Sequence, residues 1–135
     1  IAFSNASVAL VHGMSRPIGA FYHVPHGLSN AMLLPSVTEY SIPSATARYA
    51  ECARAMGIAL SEDDDKTANK KLLAELEALN EELNVPTPKE FGIDKEDFMN
   101  KLEIMAEQAI ASGSPGNNPR VPTNEEIIDI YKKLW

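Results

Sequence analysis

The apolar residues of this chain recur three and four positions apart, between helix caps and proline or glycine stops, and no segment shows convincing strand alternation. That periodicity predicts an all-α fold, a single domain of about six helices over residues 1–135. From Ala2 to about Met14 nearly every residue is apolar or small, as in a buried helix, and Pro17 with Gly19 is expected to break it. His23-Val24-Pro25-His26-Gly27 reads as a turn, with Pro25 suited to the first position of a second helix. Leu28, Met32 and Leu33 give that helix an apolar face running to about Tyr40, and Pro35 predicts a kink or an early end.

Pro43 opens a third helix with Ala45, Tyr49, Ala53 and Met56 on its apolar side and Gly57 closing it. Ser61 is the expected N-cap of a fourth, where Glu62, Asp63, Asp64 and Asp65 suit the positive end of the helix dipole rather than a calcium loop. Leu72, Leu73, Leu76, Leu79 and Leu83 form its stripe, and Asn84-Val85-Pro86-Thr87-Pro88 ends it. Asp94 caps a fifth helix that faces inward through Phe98, Leu102, Met105, Ala109 and Ile110 and stops near Gly113. A loop from Ser112 to Pro122 follows, and Thr123 with Glu126 forms a capping box ahead of Ile127, Ile130, Tyr131 and Leu134.

With 12 Lys and Arg against 19 Asp and Glu, the chain has a net charge of -7, which argues against nucleic acid as a partner. No apolar run reaches the roughly 18 residues of a membrane span. The single cysteine, Cys52, leaves no internal disulfide, fits a reducing cytoplasm, and falls on the apolar side of a helix as a packing residue. The chain opens at Ile1 inside an apolar stretch with no polar lead-in, and so reads as a fragment of a larger protein.

All three histidines, His12, His23 and His26, fall in the first 26 residues. His12 lies on an apolar helix and must satisfy both ring nitrogens, which a metal on one side and a carbonyl or carboxylate on the other would do. His26 opens the next helix, so a tight turn can bring the two imidazoles together, and Gly13 and Gly27 directly after them leave room for a ligand or a backbone. The competing reading is a pair of hydrogen-bonded core histidines, and on spacing alone it is the weightier. A catalytic metal takes three or four protein ligands. No acidic residue precedes Glu39, so the segment cannot complete a site locally.

The stretch Ala2-Phe3-Ser4-Asn5-Ala6, Leu10-Val11-His12-Gly13-Met14, Pro17-Ile18-Gly19-Ala20, Pro25-His26-Gly27-Leu28, Asn30-Ala31 and Leu33-Leu34-Pro35 resembles the signature of the iron-containing alcohol dehydrogenases. Tyr49-Ala50, Ala55-Met56-Gly57 and Asn118-Pro119-Arg120 extend the resemblance over essentially the whole chain. It implies the C-terminal part of a two-domain enzyme, whose absent N-terminal α/β domain binds NAD or NADP. Family members hold one divalent metal, here Fe(II) with Zn(II) as the alternative, through an Asp and three His. His12 and His26 match the last two histidine ligands, while the Asp and first His belong to an upstream helix. The implied reaction is reversible hydride transfer between the nicotinamide and an alcohol or aldehyde.

By the same resemblance, Phe3 and Ser114 match substrate-pocket positions, the second of them a cysteine in some relatives. Phe3 reads equally as a core aromatic, and Ser114 as a loop serine. Arg16 stands where many relatives carry a histidine assigned to proton relay, and a guanidinium cannot act as a neutral base. It can bind a phosphate or carboxylate, or be solvated. His23 matches no ligand and reads as a partly exposed turn histidine. The chain alone is expected to be inactive. In isolation it would serve only as a non-catalytic helical interaction or scaffold domain. Apolar surface left where absent helices would pack favours self-association, and a homo-oligomer is expected.

Overall fold

The computed structural model describes the backbone of residues 2–113 and 120–135, with side chains from residue 10 onward. Among these residues lie eight α-helices, one 3-10 turn and no strand. In chain order they are α1 (Ala2–Tyr22), α2 (His26–Ser41), the 3-10 turn (Ile42–Ser44), α3 (Thr46–Ala55), α4 (Asp65–Glu82), α5 (Pro88–Phe91), α6 (Lys95–Asn100), α7 (Leu102–Ala111) and α8 (Asn124–Lys132). None of the described helices is long and apolar enough to cross a membrane.

The main core is built by α1 against α2 on one side and α7 on the other, with α8 closing it. Leu10, Met14, Ile18, Leu33, Val37, Phe98, Met105, Ile127 and Tyr131 are buried there. Tyr49, Ala50 and Ala53 of α3 meet Ala68, Leu72 and Leu76 of α4 in a second, smaller core.

Helix α1 does not break at Pro17 or Gly19; it continues to Tyr22. A proline inside a helix costs about 3 kcal/mol through one lost hydrogen bond and a ring clash. Full burial of Leu10, Met14 and Ile18 around it, each worth about 1.5–3 kcal/mol, outweighs that cost. The carbonyl of Met14, three residues before Pro17, also accepts a 2.7 Å hydrogen bond from the Tyr131 hydroxyl. The helix stops instead at His23, whose φ of 57° is left-handed. Pro25 is the N-cap of α2 rather than its first residue, which is His26.

Pro35 does not end α2 either. Its missing amide would have bonded the Ala31 carbonyl four residues back. That carbonyl is taken by Asn80 of α4, whose Nδ2 donates to it at 2.7 Å. Replacing Asn80 with leucine is therefore expected to cost about 1–3 kcal/mol, the loss for a deserted acceptor. Urea unfolding measures it, and a variant as stable as the original protein would disprove the compensation.

Elsewhere the helices depart from the expected six. Asp64, not Ser61, caps α4, its Oδ1 accepting from the Thr67 amide at 2.7 Å. Neighbouring Asp63 pairs with Lys71 and Asp65 with Arg54, so the acidic run is spent on the turn and the helix start. Only Leu72 and Leu76 of the leucine stripe are buried; Leu79 and Leu83 are exposed, as are Met56 and Ile110. The extra helix α5 carries its own capping box, Thr87 with Glu90. The expected fifth helix is divided into α6 and α7 at Lys101, where one amide is shared between the carbonyls of Asp97 and Phe98. The Asp94 cap, the left-handed Gly113 and the Thr123–Glu126 capping box all fall where the residues predict.

Candidate functional site

Helix α1 and helix α2 are joined by three residues, so their facing sides are brought together at the turn. His12 lies at the middle of α1 and is half-buried; His26 is the first residue of α2 and is exposed. Their ring centres stand 5.1 Å apart with planes 79° from parallel. The exposure of His26 does not suit a pair of core histidines. The separation does suit shared coordination: imidazoles on one metal at about 2.0–2.1 Å have ring centres roughly 4.5–5.2 Å apart for cis or tetrahedral angles. An edge-to-face ring contact has a similar spacing.

The two histidines share a local pattern, His12-Gly13-Met14-Ser15 and His26-Gly27-Leu28-Ser29. In each, the buried serine donates its hydroxyl to the carbonyl of the histidine three residues earlier, at 3.1 Å for Ser15 and 3.0 Å for Ser29. A Cβ on Gly27 would meet nothing, so the space beside His26 is open.

Both helices are pinned near their C-terminal ends. Tyr22, the last residue of α1, donates to Asp97 at 2.9 Å, and Lys101 reaches the same carboxylate at 2.8 Å. Lys101 and then Tyr22 hold the Asp97 carboxyl below its usual range. Burial, reinforced by Asp97, pushes the Tyr22 phenol above its own. Near the end of α2, Arg120 donates to the Tyr40 carbonyl at 3.3 Å, stacks on the Tyr40 ring and pairs with Glu126 of α8 at 3.0 Å. Burial and the nearby Glu126 push the Tyr40 phenol up to about 12. Arg120 thus anchors its loop to an acidic neighbour.

A cavity of about 170 Å³ opens beside His12, lined by Val11, His12, Asn30, Ala31 and Leu34. Asn30 is the residue that sequence reasoning left without a role; its signal was its place four residues after His26, on the same face of α2. Arg16 lies one turn after His12 but in a different groove, of about 360 Å³, with Pro17, Ala20, Gln108, Ala111 and Ser112. It is exposed and lies beside the negative end of α7, where a cation is favoured. His23 is exposed in the turn, as expected. Cys52 is half-buried on α3. The Phe3 side chain and Ser114 lie outside the described residues.

Two imidazoles are donors of the right chemistry for a divalent transition metal, but they are a partial set. Among the described residues no three of His, Cys, Asp and Glu gather closely enough to hold an ion. Glu39 is exposed on the last turns of α2, remote from His26 at its start.

Comparison with known proteins gives a consistent picture. The profile of the Fe-containing alcohol dehydrogenase family, C-terminal part, matches residues 1–135. The chain is 35% identical over 136 residues to a lactaldehyde reductase of Escherichia coli, covering all of this chain and 35% of that protein. It is 39% identical over 138 residues to alcohol dehydrogenase 4 of Saccharomyces cerevisiae, covering all of this chain and 34% of that one. Among solved structures, a 1,3-propanediol oxidoreductase superposes with a TM-score of 0.84 at 28% identity, over 93% of this chain and 32% of that one. An iron-containing alcohol dehydrogenase from Thermococcus thioreducens superposes at 0.74 with 36% identity, over 93% and 31%. The chain spans about a third of the length of the relatives it matches.

Proposed function

Because the chain belongs to the Fe-containing alcohol dehydrogenase family, as its C-terminal part, we propose that His12 and His26 supply two ligands to the catalytic metal of a longer NAD(P)-dependent alcohol dehydrogenase. The observation that carries this reading is the pair of imidazoles, one from α1 and one from α2, with ring centres 5.1 Å apart. The ion is Fe(II), with Zn(II) as the alternative that the same donors accept. When bound, the metal would supply a Lewis acid at the oxygen of the alcohol or aldehyde, and the nicotinamide would accept the hydride from the alcohol or give it to the aldehyde.

The residues of this chain then bind and orient. His12 and His26 would present ring-nitrogen lone pairs from two helices whose C-terminal ends are clamped by Asp97 and by Arg120. A guanidinium is no proton relay, and the charge of Arg16 is suited to holding an anionic group. Phe3 and Ser114 are the proposed contributors to the substrate pocket. The remaining ligands, the nucleotide site and the rest of the pocket are assigned to the part of the parent beyond these 135 residues. A homo-oligomeric parent belongs to the same reading.

This division of labour is tested by comparing the 135-residue chain with its full-length parent. The parent is expected to hold about one metal per chain, as one carboxylate-and-imidazole site allows. The chain alone is expected to bind metal weakly and to show no NAD(P)-dependent alcohol oxidation. A metal-free, inactive parent would leave only a helical interaction domain, and turnover by the short chain would contradict the assignment of the missing ligands.

A further inference from the structure

The cavity beside His12 contains a feature that packing does not explain. Asn30 of α2 is one of its lining residues, and the side-chain oxygen of Asn30 is buried with no hydrogen-bond partner among the described residues. A deserted buried carbonyl costs about 1–3 kcal/mol. The other side chains lining the cavity, Val11, Ala31 and Leu34, offer it no donor. Among the described lining residues, the one group able to donate is the imidazole of His12.

An imidazole that gives one nitrogen to a metal carries its proton on the other, and that N–H needs an acceptor to fix the ring and its tautomer. We propose that Asn30 is the positioning residue for His12, its side-chain carbonyl accepting a hydrogen bond from the ring nitrogen that is not turned to the metal. The inference rests on the reading of His12 as a ligand. It adds that the site's orienting group comes from α2, the helix that also carries His26 one turn earlier. The unsatisfied oxygen is then an acceptor kept in reserve for the metal-loaded state. One helix thereby presents one ligand and orients the other.

The test uses the full-length parent with Asn30→Leu, which keeps the bulk and removes the acceptor, and Asn30→Asp, which keeps an acceptor oxygen. Zn(II) affinity is measured by competition with a chelator, and the melting of the metal-free protein is followed alongside. Asn30→Leu is expected to bind Zn(II) about 10–100-fold more weakly, the usual loss for an outer-shell partner. The metal-free variant is expected to melt no lower than the original, since an orphaned carbonyl has been removed. Asn30→Asp is expected to restore most of the affinity. Unchanged affinity in Asn30→Leu, while His12→Ala loses the metal, would overturn the role of Asn30 and leave the ligand reading intact. Metal retained in His12→Ala as well would overturn both. A metal-free Asn30→Leu protein that melts well below the original would mark Asn30 as an ordinary packing residue.

Discussion

Replacing His12 with alanine in the full-length parent is expected to weaken metal binding by more than about 100-fold, beyond the usual effect of losing an outer-shell partner. Alcohol oxidation should fall in parallel, because the Lewis acid leaves with its ligand. His26→Ala should do the same, and the double variant should be little worse than either, since ligands of one ion act as a unit. Arg16→Ala is the control. Its side chain lies in a separate groove, one helical turn from His12, so metal content should be unchanged. Metal analysis after dialysis, read beside the rate of nicotinamide reduction, checks all four variants. Full metal content in both histidine variants would remove the ligand assignment.

The second large effect concerns the scaffold. Phe98 is fully buried at the centre of an aromatic cluster, with ring centres 5.9 Å from Tyr22, 5.9 Å from Tyr131 and 5.2 Å from Trp135. Phe98→Ala is expected to cost about 3–5 kcal/mol, from lost burial and the cavity left behind. A domain has about 5–15 kcal/mol in total, so this is a large share. The variant should melt roughly 10–20 °C lower, measured by circular dichroism on the metal-free protein. The effect reaches the site through Tyr22, which packs on Phe98 while its hydroxyl ties the end of α1 to Asp97. A drop of only a degree or two would mean that the cluster repacks freely and does not fix α1.

What was legible in the sequence was mainly what local chemistry dictates. The caps at Asp94 and Thr123 and the stop at Gly113 depend on residues within one turn, and each stands where spacing places it. The prolines were misleading because their cost is local while their compensation is distant. Pro17 is outweighed by burial against α7 and α8, and Pro35 is relieved by Asn80, 49 positions from the carbonyl it serves. Ser61 lost the cap to Asp64 because the acidic run fits several starts, and only the folded pairings of Asp63 and Asp65 select one. Leu79 and Leu83 continue a stripe whose partner surface ends at Leu76.

The candidate site was half legible. His12 and His26 were visible as residue types close in sequence, and the resemblance gave them a role that their spacing did not. Their approach to 5.1 Å is a property of how α1 and α2 pack, which no local pattern states. Asn30 was passed over because an asparagine on a helix is usually solvated. Its distinguishing feature, a buried oxygen without a partner beside His12, exists only in three dimensions.

The most direct measurement is anomalous scattering at the iron or zinc edge from crystals of the metal-loaded parent. The expected result is one peak per chain, about 2.0–2.2 Å from a single nitrogen of His12 and of His26. A peak bonded to neither imidazole, with the rings left in simple edge-to-face contact, would contradict the metal-ligand assignment.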